Sequence, residues 1–377
     1  MKKLIILIVL IILLAAVFFV WQAFFNKPKN IDNIPLNSEN NNQEDSNKQV
    51  ENNYSSQNLD LDKKIGQLFI VGIKGKTITL KTEKFIKEFH PGGILLLSEN
   101  IESKEQLANL IISLQEIAIE DTGLPLFIAV DQEGGLISRI KWADTTPQLE
   151  IKTKEEAYEI GKKRGKDLKD SLIDLNFSPL VDESFKGDFI FERTFQRNLI
   201  EAGEFAKEII KGQKEEGIMS TIKHFPGYGR INFNPEDKLA TLDKIPGISQ
   251  FKTAAGANPE FIMVSNVVYK DFDQKLPFSF LKSGIDFLKQ EIKGDYLTVS
   301  DDLDQYSLLN NFSLEDAVSK PFNAGIDVLI FSGWRKDPED GINAFKEAAR
   351  NNKISQERID EAVLKITNLK LKNGKAL

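Results

Sequence analysis

An α/β fold in the form of a single (β/α)₈ TIM-type barrel is the architecture this sequence predicts. Three observations carry that expectation. Short apolar runs recur eight times between residue 59 and the C-terminus. Charged segments with helical period separate many of them, which is the alternation that strand–helix units require. Polar or charged residues stand at the end of run after run, where a barrel of this kind gathers its active site. An open doubly wound sheet is the competing fold, but no glycine-rich phosphate-binding turn follows the first strand.

Taken in order, residues 61–66 read as an opening helix. The predicted strands are 67–73, 92–97, 125–130, 175–181, 217–222, 261–264, 296–299 and 326–331. Helices 103–119, 154–169 and 201–216 precede the third, fourth and fifth strands, and helix 355–371 closes the chain. Asp131 follows the third strand, Asp182 the fourth, and Lys223 with His224 the fifth. Asn266 follows the sixth, and Asp301 with Asp302 the seventh. Independent loops would not often place such groups at successive strand ends.

The N-terminal region differs. Lys2 and Lys3 precede an apolar run from Leu4 to Phe25, and about 20 such residues suffice to cross a bilayer. Its exit, Trp21-Gln22-Ala23-Phe24-Phe25, is bulky rather than small, so an uncleaved anchor is expected over a signal peptide. Residues 1–28 are therefore read as a single-pass transmembrane anchor and 29–58 as a flexible, disordered Asn- and Ser-rich linker. Residues 59–377 form the barrel, placed outside the cytoplasm, with secretion as the alternative.

Composition narrows the function. The 377-residue chain is 41% hydrophobic, enough for a large core. It has no Cys, which removes disulfides, thiolate metal sites and thiol nucleophiles. With only His90 and His224, a multi-histidine metal site is not expected, and no cofactor is implied. A net charge of -7 argues against a nucleic-acid surface. A monomer is expected.

The stretch Lys223-His224-Phe225-Pro226-Gly227-Tyr228-Gly229 makes a poor core element and a good site. Two polar side chains at a strand end can face a ligand, while Pro226 and the glycines turn the backbone sharply. Carboxylates, a Lys, a His and arginines without a metal cluster suit a neutral polyhydroxylated ligand, since carboxylates accept from sugar hydroxyls and cations donate to them. Glycoside hydrolysis needs one carboxylate near the anomeric carbon and one proton donor near the leaving oxygen. Ser300-Asp301-Asp302-Leu303 supplies two adjacent carboxylates. Strand alternation sends one inward and the other away, and one of the two is free to cap a following helix.

Asp131-Gln132-Glu133-Gly134-Gly135, the segment 223–229 and Ser300-Asp301-Asp302-Leu303 resemble the signature segments of glycoside hydrolase family 3. They look most like its single-domain bacterial β-N-acetylglucosaminidases, and the resemblance covers about residues 59–371. It implies a barrel in which Asp301 is the catalytic nucleophile. It also implies that Asp131, Arg139, Arg193, Lys223 and His224 hold the sugar. The family's segment usually reads Lys-His-Phe-Pro-Gly-His-Gly and reaches an Asp-Ser-His a few residues on, whose His is the acid/base. Here Tyr228 takes the place of the second His, and the loop reads Ile231-Asn232-Phe233-Asn234-Pro235-Glu236-Asp237-Lys238 without any His. Glu236 holds the unshifted spacing. Asp237 holds it if one residue is inserted, and the alignment of Lys238 then favours Asp237 as the acid. Asn266 and Leu136 replace a further usual His and Arg.

The expected function is a retaining β-glycosidase acting on terminal β-N-acetylhexosaminides of peptidoglycan or related glycans. A family member that binds glycans without turning them over is the alternative, as is a β-glucosidase or xylosidase specificity.

Overall fold

The computed structural model describes residues 59–373. The anchor and linker expectations, residues 1–28 and 29–58, lie outside them. None of the described helices is long and apolar enough to cross a membrane.

The eight barrel strands are β1 (Phe69–Gly72), β2 (Gly93–Leu96), β3 (Phe127–Val130) and β4 (Leu175–Asn176), then β5 (Met219–Phe225), β6 (Phe261–Val264), β7 (Leu297–Ser300) and β8 (Leu329–Phe331). They lie side by side in the order β7-β6-β5-β4-β3-β2-β1-β8. Every neighbouring pair is parallel. The two edges meet at one parallel bridge, Val299 to Val328, so the barrel is nearly closed. Ile94, Ile128, Ile222, Ile262 and Val299, one from each of five strands, are fully buried. Parallel strands covered on both faces require such continuous apolar runs.

The longer helices are α1 (Leu61–Gln67), α2 (Leu80–Phe89), α3 (Lys104–Thr122), α4 (Lys154–Lys169) and α5 (Leu199–Glu215). After them come α6 (Ser249–Ala255), α7 (Lys282–Glu291), α8 (Leu314–Ala324), α9 (Pro338–Arg350) and α10 (Gln356–Lys372). Side-chain caps set several starts: Ser103, Thr153, Asn198, Ser313 and Ser355 each accept from a backbone N–H three residues on. Such caps contribute about 1 kcal/mol each. The sequence expectation names none of α2, α6, α7, α8 and α9.

Most strand boundaries differ from expectation by one to three residues, and the end of β4 by five. Gln67 belongs to α1, not to the first strand. β4 is two residues long, its regular ladder ending at Asn176. The chain beyond it still follows β5, with the Val181 N–H on the Lys223 carbonyl at 2.9 Å. β5 runs three residues past its predicted end, since pairing with β6 resumes at Phe225 opposite Val264 after a register shift. Lys223 and His224 therefore sit within the strand rather than after it.

Gly72 marks a close approach at the strand ends. A Cβ there would lie 1.9 Å from the carbonyl oxygen of Ser332. Gly72→Ala is expected to force β1 and the β8 loop apart and destabilise the barrel by about 1–3 kcal/mol. Urea denaturation of the purified protein would measure this.

Candidate active site

The C-terminal ends of the strands surround a cavity of about 520 Å³. Asp131, Arg139, Arg193, Lys223, His224, Glu236 and Asp301 all line it, so seven of the eight sequence-predicted residues are brought together. The eighth, Asp237, does not line it.

Its floor is a network of charges. Lys223 is buried and donates to Asp131 Oδ1 at 2.7 Å. Its Nζ also lies 2.6 Å from Glu133 Oε1. Arg193 grips the same Glu133 with two bonds, Nε to Oε2 at 3.0 Å and Nη2 to Oε1 at 2.8 Å. Burial by itself would raise the Glu133 carboxyl, but the Arg193 and Lys223 charges outweigh it and hold the group well below its usual range. Lys223, whose burial favours the neutral amine, is nevertheless held above its ordinary value by Asp131 and Glu133. Arg139 has no ion pair among the described residues, and its Nε is buried without a hydrogen-bond partner. Sequence motifs give Glu133 no role of its own, although its place two residues after Asp131 is the available signal.

A second carboxylate shapes the turn after β5. Asp182 accepts from the His224 N–H at 3.0 Å and the Tyr228 N–H at 2.7 Å, and it pairs with His224 Nδ1 at 2.9 Å. Gly227 and Gly229 both have positive φ, which this tight turn requires. The turn stacks Tyr228 on His224, with ring centroids 4.3 Å apart and planes at 4°. It also delivers the Tyr228 hydroxyl to Asp301 Oδ2 at 2.5 Å. The other Asp301 oxygen accepts from the Asp302 N–H at 2.7 Å.

Asp302 corrects the expectation from alternation, because both adjacent carboxylates line the cavity. Asp302 caps no helix. Its Oδ1 accepts from the backbone N–H groups of Asp304 and Ser332, each at 3.0 Å. Burial pushes its carboxyl up to about 7. Asn266 lies beneath, donating to the Asp302 carbonyl at 3.1 Å.

The loop after β5 reaches across the mouth. Its Ile231 carbonyl accepts from the Phe189 N–H at 2.8 Å, and its Glu236 carbonyl accepts from the Ser307 N–H at 2.9 Å. Arg335, from the loop after β8, donates to Glu236 Oε2 at 3.2 Å and Asp237 Oδ1 at 3.4 Å. Spacing favours Asp237 as the acid. The structure instead brings Glu236 to the cavity wall, with its side chain 47% exposed, and leaves Asp237 outside the cavity, 60% exposed and facing Arg335 and Asn234. Burial, and after it the charge of Asp301, push the Glu236 carboxyl above its ordinary value, with Arg335 opposing. No sequence signal marks Arg335, which lies 99 positions from Glu236. Among the described residues, no group of three or more His, Asp or Glu side chains is arranged to hold a metal ion.

A nearly closed parallel barrel with carboxylates and cations converging on one cavity at its strand ends is the architecture of the barrel glycosidases. The chain belongs to glycosyl hydrolase family 3: the description of that family's N terminal domain matches residues 60–369. It is 27% identical over 337 residues to beta-hexosaminidase A of Pseudoalteromonas piscicida, a match that covers 78% of this chain but only 56% of that protein. Over 330 residues it is 24% identical to beta-hexosaminidase LpqI of Mycobacterium tuberculosis, covering 81% of this chain and 82% of the relative. Among solved structures, a family 3 β-N-acetylglucosaminidase from Paenibacillus superposes with a TM-score of 0.79 at 27% identity, covering 85% of this chain and 64% of that one. A β-N-acetylhexosaminidase from Beutenbergia cavernae shares the fold at a TM-score of 0.77 and 24% identity, covering 83% and 99%.

Removing one member of the floor network leaves buried charge unpaired. Glu133→Gln is expected to destabilise the protein by about 3–5 kcal/mol at neutral pH. The folded-state carboxyl lies below its ordinary value of 4.5, so its contribution is complete above that pH and is lost as pH falls beneath it. Urea midpoints for wild type and variant should therefore converge on acidification. A difference independent of pH would point to lost packing instead.

Proposed function

We propose that the protein is a retaining β-N-acetylhexosaminidase in which Asp301 is the nucleophile and Glu236 the general acid and base. One observation carries this reading. Two carboxyls share one cavity in different surroundings: Asp301 accepts hydrogen bonds at both oxygens, while Glu236 is pushed up toward its protonated form by burial and by the charge of Asp301. Separating two carboxyls in this way assigns one to attack and the other to proton transfer.

The terminal sugar sits on the floor. Lys223 has three N–H donors and uses two of them on Asp131 and Glu133, so one remains for a sugar hydroxyl. Asp131, Arg139, Arg193 and His224 supply the other contacts. Asp301 attacks the anomeric carbon as Glu236 gives its proton to the departing oxygen. Water then adds at that carbon as Glu236 takes its proton back, and the Asp301 carboxylate leaves. The names of the relatives support an N-acetylated hexosamine. The anchor expected over residues 1–28, with the barrel outside the cytoplasm, fits cell-wall fragments as the natural glycans.

Release of N-acetylglucosamine from its chromogenic β-glycoside, ahead of the matching glucoside and xyloside, is the expected result. Sugar binding without turnover of any of the three would favour a glycan-binding protein. Glu236→Ala should lower hydrolysis of a natural disaccharide by about 10²- to 10⁴-fold. An aryl glycoside with a good leaving group should suffer less, with azide restoring some of the rate. Asp237→Ala should leave both substrates near wild type, and the reverse pattern would return the role to Asp237.

The pH profile supplies a separate check. Glu236 must be protonated to donate, so kcat/KM should fall as pH rises through its raised value. Arg335 holds that value down. Arg335→Gln should therefore move the alkaline limb to higher pH, whereas an unmoved limb would exclude Glu236 as the group titrating there.

A further inference from the structure

We propose that Tyr228 is a positioning residue that acts through Asp301, its hydroxyl speeding departure of the Asp301 carboxylate when the glycosyl intermediate breaks down. The proposal rests on the reading of Asp301 as nucleophile.

Four features of the site lead there. The Tyr228 side chain is buried and lines the cavity, so its hydroxyl is exchanged with little bulk water. That hydroxyl donates to Asp301 Oδ2 at 2.5 Å, a charge-assisted contact of the strong, short kind. The ring is fixed from both sides of its chain: Asp182 holds its backbone N–H, and the His224 ring stacks on its face. Tyr269 adds a further brace by donating to the Gly227 carbonyl at 2.6 Å. Burial, and then the Asp301 charge, keep the phenol well above its ordinary value, so it remains a donor across the working pH range. A group this constrained is preorganised for one acceptor.

The consequence differs between the two chemical steps. When Asp301 attacks, its negative charge is consumed as the new bond to the anomeric carbon forms. A donor bound more strongly to the charged carboxylate than to the ester slows that step or leaves it unchanged. In the second step water's oxygen bonds to the anomeric carbon, its proton passes to the Glu236 carboxylate, and the bond to Asp301 breaks. The bonding pair returns to the Asp301 carboxylate, and negative charge reappears beside the Tyr228 hydroxyl. The same hydrogen bond then strengthens toward the transition state and accelerates release. The pair of oxygens is served by one phenol and one backbone N–H, and only the phenol can be removed without altering the backbone.

Tyr228→Phe keeps the ring and its stacking on His224 and removes only the hydroxyl. Wild type and variant would each be inactivated with a 5-fluoro glycosyl fluoride that keeps the 2-acetamido group, and intact-protein and peptide mass spectrometry would follow labelling and reactivation. A hydrogen bond to a charged group corresponds to about a ten- to hundredfold change in rate. The trapped variant should reactivate slower than trapped wild type by about that factor, while trapping proceeds at least as fast. Steady-state kcat and KM on an aryl glycoside should both fall, with kcat/KM much less changed. Reactivation at the wild-type rate, or trapping slowed as much as reactivation, would overturn the role. A wild-type label found on a residue other than Asp301 would instead remove the nucleophile assignment, so the two failures are distinguishable.

Discussion

Glu133 is a fully buried carboxylate held between Arg193 and Lys223, and the floor of the cavity depends on that contact. An isolated carboxylate in this place would cost several kcal/mol in lost hydration. Two cations offset that loss, and each comes from a different region of the chain. Glu133 follows β3, Arg193 lies on the loop after β4, and Lys223 lies on β5. One ion cluster therefore fixes three consecutive strand ends relative to one another. It also fixes the remaining donors of Lys223 and Arg193, whose directions are set before any sugar arrives. Donors oriented in advance lose little freedom on binding, which is how a polar floor gains affinity for a neutral, well-hydrated ligand.

Asp182 has a comparable role in the layer above the floor. It receives two backbone N–H groups and pairs with one imidazole nitrogen within a single turn, and this aims Tyr228 at Asp301. The loop that continues from this turn is tied to Phe189, Ser307 and Arg335, which belong to the loops after β4, β7 and β8. Asp301 and Glu236 are thus held by the same short piece of chain, from opposite ends. Displacing the turn would disturb both at once, which explains why polar groups here are buried and paired rather than left to solvent.

The features of this arrangement that are legible in the sequence are the local ones. Apolar runs locate the eight strands, and polar residues at or near their ends mark the cavity-lining Asp131, Lys223, His224, Asp301 and Asp302, whereas Arg139, Arg193 and Glu236 follow from the family resemblance. Errors arise where a distant contact decides. The apolar run underestimates β5 because its last pairing, Phe225 with Val264, depends on a neighbour about forty residues away. It overestimates β4 because the apolar composition continues past Asn176, where the regular ladder ends. Glu133 and Asp182 are visible as residues but not as roles, since a carboxylate's partners are set by the closed barrel. Arg335 has no local signature at all.

The choice between Glu236 and Asp237 shows the same limit most clearly. The two are adjacent, both acidic, and both within reach of Arg335. Their orientation differs more than their exposure: Glu236 lines the cavity and feels Asp301, while Asp237 lies outside it, and both side chains are about half open to solvent. Arg335 also bears on which chemical type fits. A protonated imidazole in this place would carry its positive charge beside that guanidinium and be disfavoured. A carboxyl is neutral when it holds the proton and is attracted to Arg335 once the proton has gone. The cation on the β8 loop is therefore compatible with a carboxyl cycling between its two states and poorly compatible with a histidine.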